Sequence, residues 1–200
     1  MISPHTLELF SSIADALWAA IIILLHFVKP ELDPRTRMVS EYACGHRGWM
    51  MQLAFYSMAA SCFALAAALW LTGFVAGPAL LAISGLGFLG AGIFVTDPVT
   101  QDHRGLSPSG RLHIVFSFIA ILFFPITGTV IGFSDGDTVA TPIQIDLHAV
   151  SALPWAGLVA FVAGAAGARH RRVALGFWER VLILGYSLWP ITVGLMLSLS

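Results

Sequence analysis

The stretch from Lys29 to Gly48, KPELDPRTRMVSEYACGHRG, divides two long apolar runs, Leu9 to Val28 before it and Trp49 to Val75 after it. It carries Lys29, Arg35, Arg37 and Arg47, four of the ten Lys and Arg residues in the chain. Four further apolar runs follow, Pro78 to Thr96, Leu112 to Phe133, Leu147 to Ala166 and Phe177 to Leu197. Each approaches the roughly 20 residues a helix needs to cross a hydrocarbon core of about 30 Å. The remaining cations fall in only two more gaps. Arg104 and Arg111 lie between the third and fourth runs, and Arg169, Arg171, Arg172 and Arg180 flank the gap between the fifth and sixth. Loops rich in Lys and Arg stay on the cytoplasmic side during insertion, so this alternation predicts an all-α bundle of six transmembrane helices with both termini outside.

Composition agrees. The chain is 58% hydrophobic and 10% charged, against about 25% charged residues in a soluble domain. Barrel strands would need about ten residues alternating in polarity, and these runs do not alternate. A net charge of −1 leaves no basic face for nucleic acid. Cys44 in a loop and Cys62 inside the second span lie at different depths, so no disulfide framework follows. The start MISPHTLELF lacks a positive leader region and predicts no cleaved signal peptide. One transmembrane domain over residues 1–200, in a bacterial inner membrane, is the economical expectation. The outer loop Ser134 to Asp146 carries Asp135, Asp137 and Asp146 and no cation.

Small residues predict the packing. Ala156, Ala160, Gly164 and Ala168 recur every fourth position in the fifth span, a ridge that lets backbones approach closely. Gly85-Leu86-Gly87-Phe88-Leu89-Gly90 matches a dinucleotide fingerprint by letter, but it sits in mid-span with no strand before it. Its glycines read as packing surface. On this basis the third and fifth spans are expected to be central.

Ionisable groups in or beside a span are costly and mark functional positions. Asp15 and His26 share a face of the first span, being eleven residues, or about three turns, apart. The polar density is higher in the two long cytoplasmic loops. The first holds Ser40, Glu41, Cys44 and His46 before Gly48-Trp49. The second runs through Asp97-Pro98, Asp102 and His103 to Gly110-Arg111-Leu112-His113, with Ser117 one turn further along. Gln52 and Tyr56 share a face at the start of the second span. Both loops lie on one side, so Ser40, Glu41, Asp97 and His113 are expected to converge on one pocket. In it Ser40, Asp97 and His113 are candidate catalytic residues, and Glu41, His46, His103 and Arg111 candidate ligand-binding residues. Asp97 would pair with Arg111 or Arg104, favour protonated His113 and help bind a phosphate or supply a general acid. The competing expectation is that Ser40 caps a short interfacial helix, Trp49 anchors the interface and the charges are merely solvated.

The same residues carry a resemblance. Leu32-Asp33-Pro34 through Val39-Ser40-Glu41-Tyr42-Ala43 to Gly48-Trp49, then Gly92-Ile93-Phe94-Val95-Thr96-Asp97-Pro98 and Gly110-Arg111-Leu112-His113, resemble the bacterial membrane family catalogued as domain of unknown function nine-nine-eight. The resemblance spans about residues 10 to 197. It implies about six helices, with Ser40, Glu41, Asp97 and His113 as marker positions, and it implies no activity.

Three functional classes remain open. One is a protein that binds or processes a lipid or other amphiphile at a cytoplasmic-side polar pocket. As an enzyme it could use Ser and His as nucleophile and base, or Asp with several His as a metal cage, though no tight metal-binding spacing is present. A second is an accessory subunit of a larger membrane complex, holding haem b between His26 and His113 or carrying no haem. The third is a small transporter kinked at Pro125 and Pro190, working as a homo-oligomer.

Overall fold

The computed structural model describes residues 3–98, 105–133, 141–171 and 174–199. The helices are α1 (Pro4–Val28), α2 (Trp49–Leu71), α3 (Ala76–Ile93), α4 (Pro108–Gly132), α5 (Thr141–Val150), α6 (Ala152–Arg171) and α7 (Leu175–Ser198). Six helices are long and apolar enough to cross a membrane, the fifth of these spans running over Asp146–Gly167. Helix starts follow from local chemistry. Ser3 caps α1 by accepting from the Thr6 N–H, and Ser107 caps α4 by accepting from the Gly110 N–H. Each is followed by a proline at the first helical position, where a missing N–H costs nothing.

The fifth apolar run is not one unbroken helix. It divides at Ser151 between α5 and α6, because Pro154 has no N–H to offer the Val150 carbonyl. Pro125 and Pro190, by contrast, lie inside continuous helices. Pro125 leaves the Ile121 carbonyl without its intrahelical donor, and the Tyr186 hydroxyl of α7 donates to that carbonyl instead.

The helices form a ring. α1 packs between α2 and α7, α3 packs between α2 and α4, and α6 packs on α7 and reaches α4. Trp18, Phe55, Phe88, Phe124, Tyr186 and Trp189 fill its centre, with Phe124 stacked on Tyr186 at 4.7 Å. Serines bind the α1–α2 seam. Ser11 and Ser61 hydroxyls meet at 2.9 Å, and Ser57 donates to the Ala14 carbonyl at 2.6 Å. Such bonds supply the attraction that apolar lipid cannot.

The expectation of two central glycine-rich or alanine-rich spans holds for one. A Cβ on Gly85 would meet Phe63 and Cys62 of α2, and one on Gly87 would meet the α4 backbone at Phe116 and Ala120. α3 is therefore clamped on both sides. α6 is peripheral, with only 17% of its spanning window buried. Its close approach to α7 runs through Gly157 and Gly164, which face Leu182 and Trp178, while Ala156 is exposed. Of the expected four-residue ridge, Gly164 makes the close contact and Ala156 does not; Gly157, seven residues before Gly164, supplies the other.

Candidate functional site

The first long loop, the described parts of the second and the start of α7 occupy one end of the ring. The first is held by basic side chains that bond to backbone. Lys29 donates to the Tyr42 and Cys44 carbonyls, and the residue is 4% exposed. That burial lowers the Lys29 pKa, an effect that Glu31 and Cys44 oppose. Arg180, in the first turns of α7, donates to the Arg37 and Gly176 carbonyls, the Tyr42 hydroxyl and the His26 Nε2. Beside it, Glu179 accepts the Val39 backbone N–H, fixing the 3₁₀ segment Val39–Ala43. Gly176 lets the loop lie on the helix, because a Cβ there would strike the Arg37 and Pro34 carbonyls.

The second loop is anchored by Asp97. Its Oδ2 accepts from the Ser107 N–H at 2.8 Å, at the amino end of α4, where the helix dipole favours a carboxylate. A Cβ on Gly110 would collide with this carboxylate, so the Gly-x-x-His spacing has a steric cause. One turn after Gly110 comes His113, 4% exposed. Its Nδ1 lies 3.0 Å from the Ala91 carbonyl and 2.8 Å from the Phe94 carbonyl. Carbonyls only accept, so Nδ1 carries a proton, and in the neutral ring Nε2 presents a lone pair. The loops are joined where the Cys44 thiol donates to the Thr96 carbonyl at 3.3 Å. Burial, reinforced by Glu41, pushes the Cys44 thiol above its ordinary pKa.

Between these loops and the aromatic centre lies a cavity of about 630 Å³. Ser40, Thr96, Asp97, His113, Ser117 and Glu179 supply its polar groups. Its walls are otherwise apolar, among them Trp18, Met51, Phe55, Phe88, Phe118 and Leu182. Ile114 and Phe118 line it and are also 49% and 64% exposed. The cavity wall thus continues onto exposed apolar surface of α4.

Three of the four residues expected to converge do so: Ser40, Asp97 and His113 share this cavity. Glu41 does not. Its carboxylate accepts the Met38 N–H and pairs with Arg37 at 2.9 Å, so it holds the loop. His46 is exposed in the loop, and Arg111 is exposed with its Nε donating to the Leu106 carbonyl. The expected Asp97–Arg111 pair is replaced by the Asp97–Ser107 bond. His103, Asp102 and Arg104 lie outside the described residues. Both ring nitrogens of His26 are engaged, Nδ1 with the Ile22 carbonyl and Nε2 with Arg180, so the His26–His113 pair of a haem site is not assembled. Among the described residues no hydrogen bond joins Ser40 to the His113 ring, which bonds to Ala91 and Phe94. Sequence reasoning missed Glu179 and Arg180. Their signal was two adjacent charges inside the start of an apolar run.

The family described as "Protein of unknown function (DUF998)" matches residues 12–196, and the chain belongs to it. No curated protein and no solved structure matches the chain.

Proposed function

We propose that this protein binds a single amphiphile, its head group at the polar end of the cavity and its chain along the aromatic walls. The observation that carries this reading is one cavity that combines Ser40, Asp97, His113 and Glu179 at the loop end with apolar side chains beyond them. Its volume, about 630 Å³, falls in the range of roughly 300–1,000 Å³ typical of small-molecule sites. The exposed faces of Ile114 and Phe118 supply a lateral route from the bilayer. The clustering of Lys and Arg in these loops supports a cytoplasmic loop end and outside termini, in a bacterial inner membrane on this reading. Ser40, Asp97 and His113 are the working groups of this site. The neutral His113 Nε2 is suited to accept a hydrogen bond or a proton. Since Ser40 is not bonded to it, binding is favoured over a preassembled Ser–His hydrolase.

Mass spectrometry of protein extracted without detergent tests the reading. The parent should retain a stoichiometric amphiphile, and Ser117→Phe, which fills the cavity, should lose it while keeping its helical content. Equal retention by both would refute the site. Reporter fusions at Ser107 and Ser200 test the orientation, with cytoplasmic and external signals expected respectively.

A further inference from the structure

We propose that the polar end of the cavity recognises an organic cation, so that the bound amphiphile carries an ammonium head. This rests on the amphiphile reading above and adds the class of head group. It replaces the phosphate that the sequence suggested.

Among the described residues lining the cavity, the charged side chains are Asp97 and Glu179, and none is Lys or Arg. The described cations nearby are committed elsewhere: Lys29 and Arg180 to loop carbonyls, Arg37 to Glu41, and Arg111 through Nε to Leu106. The His113 Nδ1 is taken by the Ala91 and Phe94 carbonyls, so the neutral ring has its lone pair on Nε2, which has no partner among the described residues. Among the described residues the site therefore offers anionic acceptors, and its side-chain donors are neutral hydroxyls. A phosphate would meet two carboxylates, and juxtaposed like charges oppose binding. An ammonium would meet both acids, with Phe55 and Trp18 in the wall of the same cavity. Phe55 lies 5.8 Å from the His113 ring and 5.4 Å from Trp18. Carboxylates with aromatic faces are the usual surroundings of a desolvated organic cation.

The test uses the full chain in nanodiscs of phosphatidylglycerol, which carries no amine. The probes are dodecyltrimethylammonium and dodecyl phosphate, their binding measured by native mass spectrometry against empty discs. The ammonium probe should bind at least tenfold tighter than the phosphate, and both Asp97→Asn and Glu179→Gln should narrow that ratio. Ser117→Phe should abolish binding of both. Dodecyl phosphate binding equally or more tightly, and still lost in Ser117→Phe, would overturn the cation while leaving the amphiphile site standing. If neither probe bound, or if Ser117→Phe changed nothing, the amphiphile reading itself would fall. Doping the discs with phosphatidylethanolamine assigns the source: competition marks a membrane aminolipid, and its absence a free alkylammonium.

Discussion

The Tyr186 hydroxyl donates to the Ile121 carbonyl, the group that Pro125 deprives of its own helical donor. Where the two helices meet, then, a proline that would otherwise cost α4 a hydrogen bond is satisfied by α7. A buried carbonyl left unpaired costs about 1–3 kcal/mol. Tyr186→Phe should destabilise the protein by that amount. In Pro125→Ala, which restores the N–H, the same change should cost clearly less. A thermal-melt double-mutant cycle measures the difference, and equal penalties in both backgrounds would show that the two residues are not coupled.

The Arg180 guanidinium holds the first loop by four bonds spread over α1, the loop and α7. An ammonium cannot reproduce that fork. Arg180→Lys should release the loop and expose Arg35, Arg37 and Arg47 to trypsin. Cleavage in that segment should be faster than in the parent, by tenfold or more if about 1.4 kcal/mol of loop stability is lost. An unchanged digestion rate would assign the loop's order to Lys29 and Glu179 alone.

How far this arrangement was legible depends on the range of the interactions. Spans are written in local hydropathy, so α1 to α4 and α7 were visible as runs, and only the break before Pro154 was not. The convergence of Ser40, Asp97 and His113 was legible because each sits at or near a span end on the same side. Gly110 shows why the spacing mattered: it is where the Asp97 carboxylate rests on α4. Glu179 was not legible as a partner of Val39, since 140 positions separate them and no periodicity reports such a bond. Glu41 misled for the opposite reason. The partners it shows among the described residues, Met38 and Arg37, are three and four residues away, and a local capping role resembles a site when only its polarity is read.

Cys44 gives a pH dependence. Its thiol is pushed above 9.0 in the folded chain, chiefly by burial. The unfolded chain therefore releases this proton first as pH rises. Stability from this group is fully present below pH 9.0 and is lost as pH climbs from 9.0 through the raised folded value. Parent protein should lose thermal stability above pH 9 more steeply than Cys44→Ala. At pH 8 Cys44 should alkylate more slowly than a free thiol. Parallel stability profiles for the two proteins would remove Cys44 from the alkaline transition.

Asp15 in α1 has both carboxyl oxygens buried with no hydrogen-bond partner among the described residues. Burying a polar group unpaired costs roughly 1–3 kcal/mol on protein scales. Asp15→Ala, which removes the unpaired carboxyl without adding volume, should raise the melting temperature. A fall would show that the carboxyl makes a contact worth more than its burial costs.

Two glycines of α3 should respond differently from an alanine of α6. A Cβ on Gly87 would strike backbone atoms of Phe116 and Ala120, which cannot turn aside, whereas one on Gly90 would strike the Phe116 ring, which can shift. Ala160, on the thinly buried α6, is half-buried. Overpacking a tight interface costs about 1–3 kcal/mol, and more where backbone must move. Gly87→Leu should therefore abolish stable expression, Gly90→Leu should lower the melting point by several degrees, and Ala160→Leu should melt within a degree or two of the parent. The order is the test. If Ala160→Leu were the most damaging of the three, α6 would be the clamped helix and the ring around the cavity would have to be redrawn.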